Sequence, residues 1–235
     1  MKILIIVPAY NEEASIEYVI KQIKNQKIEN CQIDIAVIND CSQDKTSEIA
    51  KAHNVIVIDL INNLGIGGAV QTGYIYAFEN NYDIAVQIDG DGQHNPEYLK
   101  SLLDPIISNN CDIAIGSRFI NKNNPAYRSS FLRRIGIKIL ANVLSLLTSQ
   151  KITDATSGFR AANKKVIRLF AENYPDDYPE PETFVILYKN NLKILEVSVK
   201  MNERYGGKSS INAIDSIYYM IKVLIAIFID FFKGK

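Results

Sequence analysis

The sequence predicts an α/β fold with a mainly parallel central sheet. Five short apolar runs recur along the first half: ILIIV at 3–7, IDIAVI at 33–38, VIVIDL at 55–60, DIAVQI at 83–88 and CDIAIG at 111–116. They alternate with amphipathic segments of helix length. The runs are also apolar nearly throughout rather than at every second residue, as strands covered by helices on both faces must be.

Size and composition suit one folded domain. The chain has 235 residues, 47% of them hydrophobic, with 26 basic and 26 acidic side chains. A chain of this length can bury roughly 70% of its unfolded surface, so its core requires no disulfide or structural metal. The cysteines, Cys31, Cys41 and Cys111, are odd in number and lack metal-type spacing; they fit a reduced, cytoplasmic compartment. Zero net charge removes any global attraction to nucleic acid. The opening MKILIIVPAYNEE turns acidic soon after Pro8 and reads as a first strand rather than a secretory signal.

In chain order, the periodicity places helices at 13–26, 43–52, 68–78 and 96–108, between the five strands. Beyond residue 118 the alternation stops. Helices at 132–147 and 182–190, a strand at 193–199 and a final apolar helix fill the second half. Residues 1–210 form the predicted domain, and 211–235 the C-terminal apolar helix.

Open α/β sheets bind ligands at the carboxyl ends of their strands. Here those ends read PAYNEE (8–13), NDCSQD (39–44), NNLGIGGA (62–69), DGDGQH (89–94) and GSRF (116–119). Asp89-Gly90-Asp91 is the strongest local signal, because two carboxylates on a tight turn can hold a hard divalent cation. The same tripeptide also serves as an ordinary Asp-Gly turn. His94 reads as a hydrogen-bonding or capping residue in preference to a ligand. From Ile113 to Thr153 there is no Asp or Glu, while Arg118, Lys122, Arg128, Arg133, Arg134, Lys138 and Lys151 are all positive. Something anionic is expected beside that stretch.

Taken in order, these motifs resemble the family-two nucleotide-sugar glycosyltransferases of the GT-A fold, in particular the dolichol-phosphate mannose synthase-like branch. PAYNEE, NDCSQDKT, NLGIGGAVQTG, DGDGQHNPE, GSRF, DATSGFRA (154–161) and ILEVSVKMNERYGGKSS (194–210) carry the resemblance. It implies that Pro8, Tyr10, Glu12 and Asp40 line the base and ribose pocket, with Gly67 on the nucleotide side. Asp89 would face the ribose or the metal, Asp91 would bind Mg²⁺ or Mn²⁺, and Gln93 would complete the metal's shell. Arg118, Arg204 and Lys208 would neutralise the diphosphate. Asn39 and Cys41 depart from the family pattern, which leaves the base, uridine or guanosine, open.

The implied reaction is inverting transfer of a sugar from a UDP- or GDP-linked donor to a saccharide or lipid-linked acceptor in cell-surface glycan synthesis. A hydroxyl acceptor needs a base to take its proton; an anionic lipid phosphate needs none. Glu180, Glu182 and Asp154 are the candidate bases. A polyprenyl-phosphate sugar synthase is the alternative enzyme, and a catalytically silent nucleotide-sugar-binding partner subunit the alternative of another class. A nicotinamide oxidoreductase ranks below both, since its glycine fingerprint is absent after the first strand.

In the last 25 residues, Asp215, Lys222, Asp230 and Lys233 share one narrow stripe at 100° per residue, and the remaining arc is apolar. The longest uncharged run there falls well short of the ~20 residues a span requires. The helix is therefore expected to meet the domain, a second copy of the chain in a homo-oligomer, or the surface of a membrane, placing the protein peripherally at the inner face.

Overall fold

The computed structural model describes residues 1–121, 131–205 and 213–233. Seven strands, β1 (Lys2–Ala9), β2 (Gln32–Asn39), β3 (Ile56–Asp59), β4 (Ile84–Gln87), β5 (Ile113–Ser117), β6 (Arg160–Asn163) and β7 (Ile194–Ser198), form one sheet in the order β3-β2-β1-β4-β6-β5-β7. The pairings β1–β2, β2–β3, β1–β4 and β5–β7 are parallel. Among the strands of the described residues only β6 runs antiparallel, to both β4 and β5. The predicted sheet is thus present, with one unforeseen strand inserted between the fourth and fifth.

Why the strands read as unbroken apolar runs is visible in β1. Residues Ile3 to Val7 are all fully buried, yet they serve two cores. Leu4 and Ile6 face one cluster and Ile3, Ile5 and Val7 the other, because successive strand side chains point to opposite faces. Helices α1 (Ile16–Lys24) and α4 (Leu99–Ile107) cover the second face. On the first face pack α3 (Gly65–Glu79), α5 (Phe131–Thr148), α6 (Lys164–Glu172), α7 (Pro179–Lys189) and α8 (Ala213–Phe232). The short α2 (Thr46–Ala52) flanks β3.

Two helices start later than their periodicity suggests, α1 at Ile16 rather than 13 and α2 at Thr46 rather than 43. The residues before them are engaged with one another. Glu12 N–H donates to Thr46 Oγ1 (2.8 Å), Glu13 N–H to Asp44 (3.0 Å), Gln43 N–H to Asn11 Oδ1 (2.8 Å) and Lys45 N–H to Glu13 (3.1 Å). These cross-loop bonds replace helical ones and lock the first two strand ends together.

Candidate active site

The rim at the ends of β1, β2 and β4 is built around the DGD turn. Asp89 N–H donates to Nδ1 of His94 (3.0 Å), and the Asp89 carboxylate accepts from Gln87 Nε2 (3.2 Å). His94 is 2% exposed and its ring stacks on Phe159. Burial pulls its pKa down to about 4, so the imidazole is neutral and accepts through Nδ1. It acts as a buried post beneath the turn, hydrogen-bonding as expected but not from the surface. Gly92 stands at φ +79°, where a side chain would be strained, and lets Gln93 N–H return to Asp91 Oδ1 (3.0 Å).

The segment after β7 closes onto this turn. Asn202 N–H donates to Gln93 O and Tyr205 N–H to Asp91 O, while Tyr205 stacks on Tyr18 of α1 with ring centroids 4.5 Å apart. Arg204 reaches both Glu12 Oε1 (3.3 Å) and Asp91 Oδ2 (3.4 Å). Glu12 also accepts from Ser15 Oγ, and the same hydroxyl donates to the carbonyl of Gly90. Glu12, Asp91 and Arg204, which lie far apart in sequence, therefore meet at one point.

Burial raises the pKa of Asp89 and of Asp91, and Asp91 is raised further by repulsion from Asp89. Two desolvated carboxylates on one turn are costly unless a cation shares them. Among the described residues no group of three or more His, Cys, Asp or Glu side chains could hold a metal ion. Asp89 and Asp91 alone are oxygen donors of the kind a hard divalent ion takes, and a metal there would need further oxygens from outside this pair.

Several expected donor residues also hold the rim together. Asp40 is 4% exposed, and its two oxygens accept from the N–H groups of Leu64 (2.7 Å) and Gly65 (2.9 Å), pinning the start of α3. A Cβ at Gly67 would lie 2.3 Å from the carbonyl oxygen of Asp176, so this glycine admits the 173–178 loop rather than shaping open space for a nucleotide. Pro8 is buried in β1 and offers its carbonyl to Gly90 N–H, whereas Tyr10 is exposed at the rim. Lys208 lies outside the described residues.

Arg118 is engaged inside the protein. Its guanidinium binds both oxygens of the fully buried Asp154, and Nη2 also reaches Thr156 Oγ1 (2.7 Å). The pair is matched in charge, and both carboxylate oxygens of Asp154 are occupied by Arg118. The two glutamates of α7 are separated as well. Glu180 carries a pKa raised by burial, opposed first by Arg160, whose guanidinium also holds the Glu180 carbonyl. Glu182 instead shares a cavity of about 530 Å³ with Asp230 of α8, away from the DGD turn.

Arg160 is a residue that pattern reading missed. It pairs with Gln87 across β4 and β6, is 1% exposed, and donates to Ser157 O (2.7 Å), Glu180 O (2.8 Å) and Thr183 Oγ1. It thereby ties the DATSGFRA segment to the first turn of α7. A lone arginine in a short strand gives no periodic signal; only its place in that motif marked it.

A mainly parallel sheet, one antiparallel strand and a DGD turn ringed by strand-end loops define a glycosyltransferase domain of the GT-A type. The chain belongs to glycosyl transferase family 2, whose family model matches residues 4–170. It is 33% identical to the UDP-N-acetylglucosamine–dolichyl-phosphate N-acetylglucosaminyltransferase of Methanococcus voltae, over 84% of each chain. To the polyprenol monophosphomannose synthase of Mycolicibacterium smegmatis it is 28% identical, over 94% of this chain and 84% of that one. These relatives place it in the dolichol-phosphate mannose synthase-like branch. In fold it is similar to glucosyl-3-phosphoglycerate synthase from Mycobacterium tuberculosis, crystallised with Mn²⁺ and UDP (TM-score 0.72, 21% identity, 98% of this chain and 79% of that one). Mannosyl-3-phosphoglycerate synthase from Rubrobacter xylanophilus is similar too (TM-score 0.74, 15% identity, 97% and 74%).

Proposed function

We propose that the protein transfers a sugar, with inversion, from a nucleotide diphosphate sugar to a polyprenyl phosphate. A phosphate oxygen attacks the anomeric carbon, the bond from that carbon to the diphosphate breaks, and the nucleoside diphosphate leaves with the electron pair. No proton needs removal from an acceptor that is already anionic. The names of the relatives, a dolichyl-phosphate and a polyprenol-phosphate transferase, support this acceptor class over the saccharide.

The observation that carries the reading is the state of the three candidate bases. Asp154 is gripped by Arg118, Glu182 faces Asp230, and the first turn of α7, which carries Glu180, is tied down by Arg160. Negative charge grows on the leaving diphosphate, so catalysis rests on positioned cations. Arg204, already against Asp91 and Glu12, is placed to move onto that diphosphate, with Lys208 as its expected companion. Asp89, Asp91 and Gln93 would hold a divalent ion, which when bound would supply Lewis-acid stabilisation of the leaving group.

The test is a donor screen with purified protein and detergent-dispersed polyprenyl phosphate, scoring labelled sugar in the organic phase with Mg²⁺ or Mn²⁺. Labelled lipid with a Glu180→Gln variant still active supports the reading. Transfer only to a saccharide hydroxyl, lost in that variant, overturns it. Neither transfer nor donor hydrolysis would point to the silent partner subunit instead.

A further inference from the structure

Gln87 is polar where the pattern of a buried strand asks for an apolar residue. It closes β4 after Ile84, Ala85 and Val86, and like them it is buried, at 0% exposure. Its Nε2 donates to Asp89 Oδ1 (3.2 Å), while its Oε1 has no hydrogen-bond partner among the described residues. Asp89, in contrast, is partly exposed at the rim. The bond therefore ties a carboxylate of the rim to the floor of the sheet beneath it.

A buried carbonyl without a donor costs stability, and folded chains rarely keep one without a reason. Rotating the amide would exchange its two ends, but the carbonyl would then face a carboxylate oxygen, so Asp89 dictates which end points where. Arg160, the cross-strand neighbour of Gln87, is the obvious donor on that face of the sheet. Its N–H groups go instead to Ser157 O, Glu180 O and Thr183 Oγ1. Gly158 stands against the pair: a Cβ there would lie 2.9 Å from Gln87 Nε2 and 3.3 Å from each Asp89 carboxylate oxygen. Glycine at this point of DATSGFRA leaves the amide and the carboxylate face to face.

We infer that Gln87 is a positioning residue, which holds the Asp89 carboxylate in the direction that receives the donor nucleotide with its divalent ion, and that the unpaired Gln87 carbonyl is retained for this purpose. The inference rests on the proposed role of the DGD turn and adds to it a residue that touches neither nucleotide nor metal. A methionine of similar length would fill the same space with no unpaired group. Stability alone thus gives no reason for a glutamine here. Asp89, open to the rim, could take water in place of the lost N–H.

Gln87→Met tests this, because it should move stability and binding in opposite directions. The melting temperature of the ligand-free variant should equal that of the parent or exceed it by up to about 4 °C. Its affinity for UDP or GDP with Mn²⁺, measured by calorimetry on the full chain, should fall roughly ten- to hundredfold. Gly158→Ala, whose methyl group would press on the same amide and carboxylate, should weaken that binding as well. A glutamine with only a structural role would lose stability and binding together, and that result overturns the inference, as does nucleotide binding by Gln87→Met equal to the parent's. Asp89→Asn tells this failure from failure of the underlying reading. If Asp89→Asn binds like the parent, or the parent binds neither nucleotide with Mn²⁺, the DGD turn is not the donor site and both fall. If Asp89→Asn binds weakly and Gln87→Met normally, only the positioning role of Gln87 falls.

Discussion

Arg118 and Asp154 form a two-point ion pair in which Nε donates to Oδ2 and Nη2 to Oδ1, both at 2.6 Å, with the side chains 5% and 0% exposed. Asp154 also accepts from the Arg118 backbone N–H (3.1 Å). The pair fastens the end of β5 to the DATSGFRA segment. Removing one partner leaves a buried charge unmatched, at a cost of about 3–5 kcal/mol. Asp154→Ala should therefore lower the thermal midpoint sharply and reduce activity only with the loss of fold. A variant with unchanged stability and turnover down by about 10²–10⁴ would instead make Asp154 a base.

Asp91→Asn should leave the fold intact and remove metal-enhanced donor binding together with transfer. The turn is held by Gln93 N–H on Asp91 Oδ1, a bond the asparagine amide oxygen can also accept, and by Tyr205 N–H on the Asp91 carbonyl. Loss of its charge relieves repulsion from Asp89 in the metal-free protein but takes away half of the paired carboxylates. Thermal shift with and without Mn²⁺ measures both effects. Near-normal turnover in this variant, or full activity in excess chelator, would remove the DGD turn from the metal site.

Asp40→Ala should weaken donor binding and stability together, because its oxygens satisfy two backbone N–H groups at the start of α3. Leaving buried donors unpaired costs about 1–3 kcal/mol each. A drop in donor affinity at unchanged melting temperature would show direct contact with the nucleotide instead.

The sheet and its rim were legible because their signals are local. An unbroken apolar run such as Ile3–Val7 has one structural meaning when helices alternate with it, and the DGD turn announces itself in three residues. Partnerships across the chain were not legible. Arg118 stands 36 residues from Asp154, and Glu12 stands 192 from Arg204, so nothing in either neighbourhood tells which charge answers which. β6 escaped for a related reason: RAAN is four residues long, begins with a buried arginine and owes its place to β4 and β5 on either side. The order of the last helix was read correctly as apolar, but which of its faces would turn outward depended on Glu182 and Lys189 of α7, far upstream.

Glu182 supplies a pH dependence that separates a structural carboxyl from a catalytic one. Burial, then hydrogen bonding and repulsion from Asp230, with Asp177 adding to the repulsion, lift its pKa to about 8 from an ordinary 4.5. The nearby Lys189 ammonium is engaged by the main-chain oxygens at the end of α8. Between those two pH values the folded chain holds a proton that the unfolded chain releases, so stability must fall as pH rises. The stabilising contribution is complete below the ordinary carboxyl range and is lost as pH passes through about 8. Glu182→Gln keeps hydrogen-bonding capacity without the titration, and Asp230→Asn removes the like charge. Both should flatten the decline of melting temperature from mildly acidic to mildly alkaline pH, and Glu182→Gln should keep transfer near that of the parent. Parallel melting curves for parent and variant across that range would show that the pair does not share a proton. Turnover reduced by about 10²–10⁴ in Glu182→Gln with the curve unchanged would return this residue to the list of bases.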